Sequence, residues 1–443
     1  MTDTPLMLAG DFATPTRQEW EAEVLKILNR RRPEGKELTI DQAMSRLRTR
    51  TVDGLTIEPV YTDAVAPLGL PGAMPFTRGA SVRDAGVAWD VRALHEDGDV
   101  AFTNAEVLAD LQRGATSVWL RTGSGAIAVD DVAAVLAGVN PALAPLAISS
   151  NTDQIAAAKA LAAFWKGGTT GAKGNLGLDA IALAARTGAK VDLAPHAVWV
   201  QAAMAELPGI RALTVDVLPY DDAGAGDVDQ LAFAVATGVA YLRNLEAAGI
   251  SPSAAFAQLE FRVSANADEF LTIARLRALR RLWARIGEVS GVPAEARGAI
   301  QHAVTSWRMI TRDDPYVNLL RGMIATFSAA VGGAESITCL PFDTAVGLPD
   351  GFSRRLARNT QLVAAEESNI GRVSDPAGGS WYVESLTDQL ATKAWAVFQE
   401  LEAAGGMVAA LESGLVAERI AATVAERTKR LASRKQPITG VSM

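Results

Sequence analysis

The sequence predicts an α/β fold of the (β/α)8 TIM-barrel type, with an N-terminal helical arm and C-terminal helices. Three observations carry this. From about residue 86, short apolar runs alternate with longer stretches of helical periodicity, the pattern of parallel strands joined by helical crossovers. Residues 384–431 are helical with no strand between. The chain has 443 residues, room for one large barrel with attachments against a prior of about 150 residues per domain. A doubly wound open sheet is the alternative that the alternation leaves open.

The elements follow in order. Residues 19–32 form a charged helical stretch in which Trp20, Val24, Ile27 and Leu28 share one face. Pro33 and Gly35 break it. Thr39 is placed to cap a second helix over 41–47. Such an arm either packs back on its own domain or reaches to a partner. Strands are expected at 89–94, 117–120, 145–149, 212–217, 258–263 and 336–340. Two more, near 174–178 and 301–305, would complete the eight. Helices are expected at 104–113, 130–137, 152–165, 198–207 and 226–247, and at the end over 384–401 and 409–431. The last residues, 435–443, read like the start of a linker.

Lys and Arg number 42 against 50 Asp and Glu, a net charge of −8. A mildly acidic surface argues against nucleic acid or anionic membrane as the main partner. No apolar run approaches the roughly 18 residues of a membrane span. The amino terminus carries Asp3 and no basic flank, which is not a secretory signal. Cytoplasmic location is the expectation. The single cysteine, Cys339, excludes an internal disulfide and a multi-cysteine metal site.

Candidate chemistry is sparse. The stretch 167–177 is rich in glycine, but Lys173 lacks the Ser/Thr that a phosphate-cradling loop needs, and it reads as a flexible loop. The acids Asp216, Asp221, Asp222, Asp227 and Asp229 do not follow calcium-loop spacing, and Asp227 suits the first turn of a helix. His95, His196 and His302 have no metal-ligand partner at helical spacing, so no metal site is expected. His302 could face a site at the end of its strand, although a satisfied core histidine is the plainer reading. No GxSxG elbow occurs, and Cys339 has no adjacent His. Arg275, Arg277, Arg280, Arg281 and Arg285 alternate with leucines and read as the solvated or partner-facing side of an amphipathic helix.

Residues 355–384 add a resemblance. Arg355 to Gln361, Glu366-Glu367-Ser368, Arg372 and the run Asp375-Pro376-Ala377-Gly378-Gly379-Ser380-Trp381-Tyr382-Val383-Glu384 closely resemble the signature of the methylmalonyl-CoA mutase family of cobalamin-dependent acyl-CoA mutases. Pro75-Phe76-Thr77-Arg78-Gly79, Phe342-Asp343 and Leu348-Pro349 support it, and the likeness covers about residues 60–443. It implies a barrel that holds acyl-CoA along its axis under adenosylcobalamin.

The features of active members are missing at the matching positions. Their catalytic Tyr-His pair falls on Val217 to Asp222, where the histidine position is Pro219 or Asp221. Proline cannot donate a proton, nor can an ionised aspartate. On the substrate strand Trp89 and Arg92 persist without the family's tyrosine, and the His-Thr-Gln-Thr-Ser strand keeps His302, Thr305 and Ser306 but has Val304 for Gln. Arg262 and Ser264 match an Arg-x-Ser that touches CoA. No histidine stands in a DxHxxG motif.

The pattern resembles the small, non-catalytic chain of heterodimeric bacterial mutases. It implies an arm for subunit contact over 1–60, a mutase-like barrel over 61–385, helices and a linker start over 386–443, and no cobalamin-type domain in this chain. No catalytic or cofactor-binding residue is expected, and Arg262, Ser264 and His302 are relic candidates for substrate contact. Adenosylcobalamin would belong to a large catalytic partner chain. Two other readings stay open: the barrel of a split mutase with a separate cobalamin chain, and a metabolite-binding or scaffold barrel.

Overall fold

Residue 13 and residues 15–63, 69–82, 88–166 and 171–442 are described by the computed structural model. The chain divides into two units, Met1–Thr62 and Asp63–Met443. In the first, helices α1 (Arg17–Asn29) and α2 (Ile40–Leu47) each open with a capping box, Thr16 with Glu19 and Thr39 with Gln42. Trp20, Val24 and Leu28 of α1 pack with Leu38, Ala43 and Met44. The apolar stripe of α1 is therefore covered inside its own unit, and Ile27 lies outside that cluster. A two-stranded antiparallel sheet follows, β1 (Thr49–Arg50) with β2 (Thr56–Ile57).

The second unit is a closed eight-stranded parallel barrel. Its strands are β3 (Asp90–His95), β4 (Ser117–Thr122), β5 (Leu146–Ser150), β6 (Gly174–Leu178), β7 (Ile210–Asp216), β8 (Leu259–Ala265), β9 (Gln301–Thr305) and β10 (Ser336–Thr338). Each pairs with the next, and β10 closes on β3 through Ser336–Asp90 and Ile337–Val91. All eight expected strands are present, and every residue of β8, β9 and β10 is buried. Burial on both faces favours apolar runs in such strands, and Glu260 and Arg262 in β8 and Gln301 and His302 in β9 interrupt them. In β6, part of the expected flexible loop is strand. Gly177 sits at φ +68°, where a Cβ would lie 1.7 Å from the Ile148 carbonyl oxygen of β5. Only glycine lets the two backbones meet there. Residues 167–170 of that stretch lie outside the described residues.

The helices of this unit are α3 (Val100–Gln112), α4 (Val132–Val135), α5 (Gln154–Lys166), α6 (Ala180–Thr187), α7 (Ala194–Glu206), α8 (Leu218–Asp222), α9 (Asp227–Ala247), α10 (Pro252–Ala257), α11 (Glu269–Val289), α12 (Val317–Val331), α13 (Gly351–Leu362), α14 (Trp381–Ala403), α15 (Gly406–Glu412) and α16 (Leu415–Ala432). The expected helix over 409–431 is two helices, because Gly414 takes φ +82° between α15 and α16. Among the described residues no helix is long and apolar enough to cross a membrane.

One expectation is overturned. The arginines of α11 do not form a solvated face. Helix α14 packs across α9 and α11, so α11 is covered on both sides. Arg275, Arg277 and Arg280 are buried. Arg275 pairs with Asp227 at 2.9 Å, and Arg277 pairs with both Asp375 and Glu384. Arg280 donates to the carbonyl oxygens of Gly332 and Thr77 at 2.6 and 3.2 Å. Only Arg281 and Arg285 stay half-exposed, with Asp388 and Glu288 as partners. Buried charge survives because each guanidinium meets an acid or carbonyls from another element.

Candidate functional site

The barrel lumen is filled by side chains. Arg92 of β3 donates to Glu260 of β8 at 3.0 Å and to Ser117 of β4 at 3.2 Å. Trp119 of β4 meets His302 of β9 edge to face at 5.3 Å and clusters with Ala147, Leu218, Val304 and Leu340. The Arg262 guanidinium lies 4.3 Å from the Trp119 ring centroid. The hydrogen-bond directions are mutually consistent. Thr338 Oγ1 donates to the Arg92 carbonyl (2.9 Å), His302 Nε2 to Thr338 Oγ1 (2.8 Å), and Arg262 Nε to His302 Nδ1 (3.3 Å). This network assigns His302 as the neutral Nε2–H tautomer. Burial, with Arg92 and Arg262 beside it, holds its pKa well below the ordinary range. A neutral, doubly bonded imidazole here is a core residue.

Above this plug, where the carboxyl ends of β4 to β8 converge, lies a cavity of about 340 Å³. Trp119, Arg121, Asp179, Arg186, Asp216 and Arg262 are among its walls. Asp179 accepts from the Asp216 backbone at 2.6 Å, from the Ala182 backbone at 2.9 Å and from the Tyr241 hydroxyl. Burial nevertheless raises its pKa to about 7. Asp222, pushed up chiefly by burial, titrates at about 6. Asp216 faces Arg262 at 3.4 Å and Arg186 at 3.6 Å. The arrangement sets arginine donors and aspartate acceptors around one cavity.

The sequence candidates separate at this cavity. Arg262 lines it, whereas His302 lies beneath it. Ser264 does not line it: its hydroxyl donates to Gln230 at 3.0 Å and accepts from Arg275 at 3.1 Å. Pro219 and Asp221, the two positions for an acid, are not among its walls either. Asp221 is buried and accepts from Ser306 at 2.5 Å and Gln230 at 3.1 Å. Tyr220 packs on Phe233, ring centroids 5.1 Å apart. Among the described residues no group of His, Cys, Asp and Glu could hold a metal ion. Trp119, Asp179 and Arg186 were not singled out by sequence. Asp179 follows an expected strand directly, the one local signal available.

A carboxyl whose pKa is higher folded than unfolded favours folding below its unfolded value, near 4, and loses that contribution as pH rises through about 7. Stability should therefore fall between pH 5 and pH 8, and Asp179→Asn should flatten that fall. Urea unfolding at both pH values checks this. An unchanged slope in the variant would remove Asp179 as its source.

The family model described as methylmalonyl-CoA mutase matches residues 174–443. The chain is 54% identical to the "Methylmalonyl-CoA mutase small subunit" of Propionibacterium freudenreichii subsp. shermanii, over 100% of this chain and 70% of that protein. It is 49% identical to the protein of the same name from Streptomyces virginiae, over 100% of this chain and 72% of that one. With the "Methylmalonyl-CoA mutase" of Escherichia coli it shares 37% identity over 53% of this chain and 33% of that protein.

Proposed function

The chain belongs to the methylmalonyl-CoA mutase family, a cobalamin-dependent family, and from that premise we propose that it is the catalytically silent small partner in a cytoplasmic heterodimeric mutase. In this reading it supports assembly and stability, while a large chain carries the active site. Its partner interconverts methylmalonyl-CoA and succinyl-CoA. The likeness to two proteins named small subunit, across the whole of this chain, supports the pairing.

The observation that carries the silent role is the filled lumen. A barrel that threads an acyl-CoA along its axis needs an open axis. Here Arg92, Glu260, Trp119, Arg262 and His302 occupy it in one bonded network. The missing acid supports the same reading, since neither Pro219 nor Asp221 lines the mouth.

The residues present do not fit cobalamin ligation. A cobalt ligand would have to be an accessible imidazole, and His95, His196 and His302 are all buried. No step through the cofactor is therefore assigned to this chain, and in this reading the partner carries the cofactor.

The test titrates adenosylcobalamin, followed by absorbance, into the isolated chain and into the chain co-expressed with a large mutase chain. Saturable binding and turnover of methylmalonyl-CoA are expected for the pair alone. Micromolar binding with turnover by the isolated chain would overturn the proposal.

A further inference from the structure

The mouth cavity has a bonding imbalance that the functional reading does not use. Arg262 is 1% exposed, with Nε directed at His302 and Nη1 at Asp216. Its Nη2 has no hydrogen-bond partner among the described residues. A buried guanidinium N–H costs free energy until something accepts from it. The residue itself lines the cavity, with its guanidinium fixed over Trp119. On the other side of Asp216, the half-exposed Arg186 reaches that carboxylate at 3.6 Å and Asp222 at 3.9 Å, both longer than a hydrogen bond. Of the three arginines that border the cavity, Arg121 is paired with Glu96, and Arg262 and Arg186 have donors to spare.

We propose that the mouth cavity binds a small carboxylate, with Arg262 as its buried anchor and Arg186 as the cation at the rim. A planar guanidinium on an indole platform matches the planar, bidentate geometry of a carboxylate. Phosphate fits less well, because its second charge would face Asp216 and Asp222. Those two acids suit a hydroxyl or ammonium substituent on the ligand, since each accepts hydrogen bonds. Size sets the upper bound. About 340 Å³ is the low end of the roughly 300–1,000 Å³ typical of small-molecule sites. The filled lumen beneath leaves no path for a long tail.

Lactate, a hydroxycarboxylate, is the probe, titrated into the full chain with tryptophan fluorescence as the readout. Trp119 and Trp307 both line the cavity and report on its occupancy. The expected result is a saturable change with a Kd of about 1 mM or tighter. Arg262→Gln should weaken it by about tenfold or more, and Arg186→Gln by several-fold, as lost charge-assisted hydrogen bonds predict. Arg186 is half-exposed, so its variant keeps the test alive if Arg262→Gln does not fold. Three results would overturn the proposal: no saturable change up to about 50 mM, equal affinity in wild type and the Arg186 variant, or phosphate or coenzyme A binding as tightly as lactate.

Discussion

Replacing Asp375 by alanine should destabilise the barrel unit by about 1–3 kcal/mol, the cost of leaving buried and half-buried guanidinium donors without one of their acceptors. Asp375 joins two distant arginines. Its Oδ1 meets Arg277, which is fully buried, and its Oδ2 accepts from Arg78 at 3.0 Å. Arg277 keeps Glu384, but Arg78 loses its ion-pair acid. The backbone adds to the effect, because Asp375 sits at φ +51°, a conformation that alanine adopts with strain. Asp375→Asn separates the two causes: asparagine tolerates that φ and removes only the charge. Urea unfolding should place the asparagine variant between wild type and alanine. A loss below about 1 kcal/mol for alanine would show that the pair contributes no more than a surface salt bridge.

The same residue shows what sequence can disclose. Asp375 to Glu384 carried the family resemblance, and the structure gives that stretch a scaffold role: Asp375 and Glu384 hold α11 through Arg277. The strands were legible because burial on both faces leaves runs of apolar residues. Strands β6 and β9 were legible mainly by counting to eight, since Asn175, Gln301 and His302 interrupt their apolar runs. The arginines of α11 were misread for a physical reason. Helical periodicity reports which residues share a face, and says nothing of an acid about a hundred positions away that neutralises that face. Arg277 with Asp375 and Arg281 with Asp388 are such pairs. The mouth was illegible in the same way, because Trp119 of β4, Asp179 and Arg186 at the two ends of α6, and Arg262 of β8 come from three separate segments that only barrel closure brings together.

Trp119 is where the filled lumen can be tested most directly. It is 2% exposed, carries Arg262 on its ring face and His302 at its edge, and donates from Nε1 to Ser149 at 2.9 Å. Trp119→Ala should cost about 3–5 kcal/mol, the range for truncating a buried aromatic side chain. Part of that cost comes from Arg262, which loses the ring that fills one side of its guanidinium. Trp119→Phe keeps a ring and gives up the hydrogen bond to Ser149, so about 1–2 kcal/mol is expected. Thermal unfolding of both variants measures the order. Opening the lumen should not confer mutase turnover on the isolated chain, because neither position of the family's acid faces the mouth: Pro219 has no proton to give and Asp221 is sealed against Ser306 and Gln230. If Trp119→Ala unfolds within about 1 kcal/mol of wild type, the ring is not what closes the barrel axis. If it instead gains turnover of methylmalonyl-CoA with adenosylcobalamin, the plug, and not the missing acid, is the ground on which the proposed silence of the chain rests.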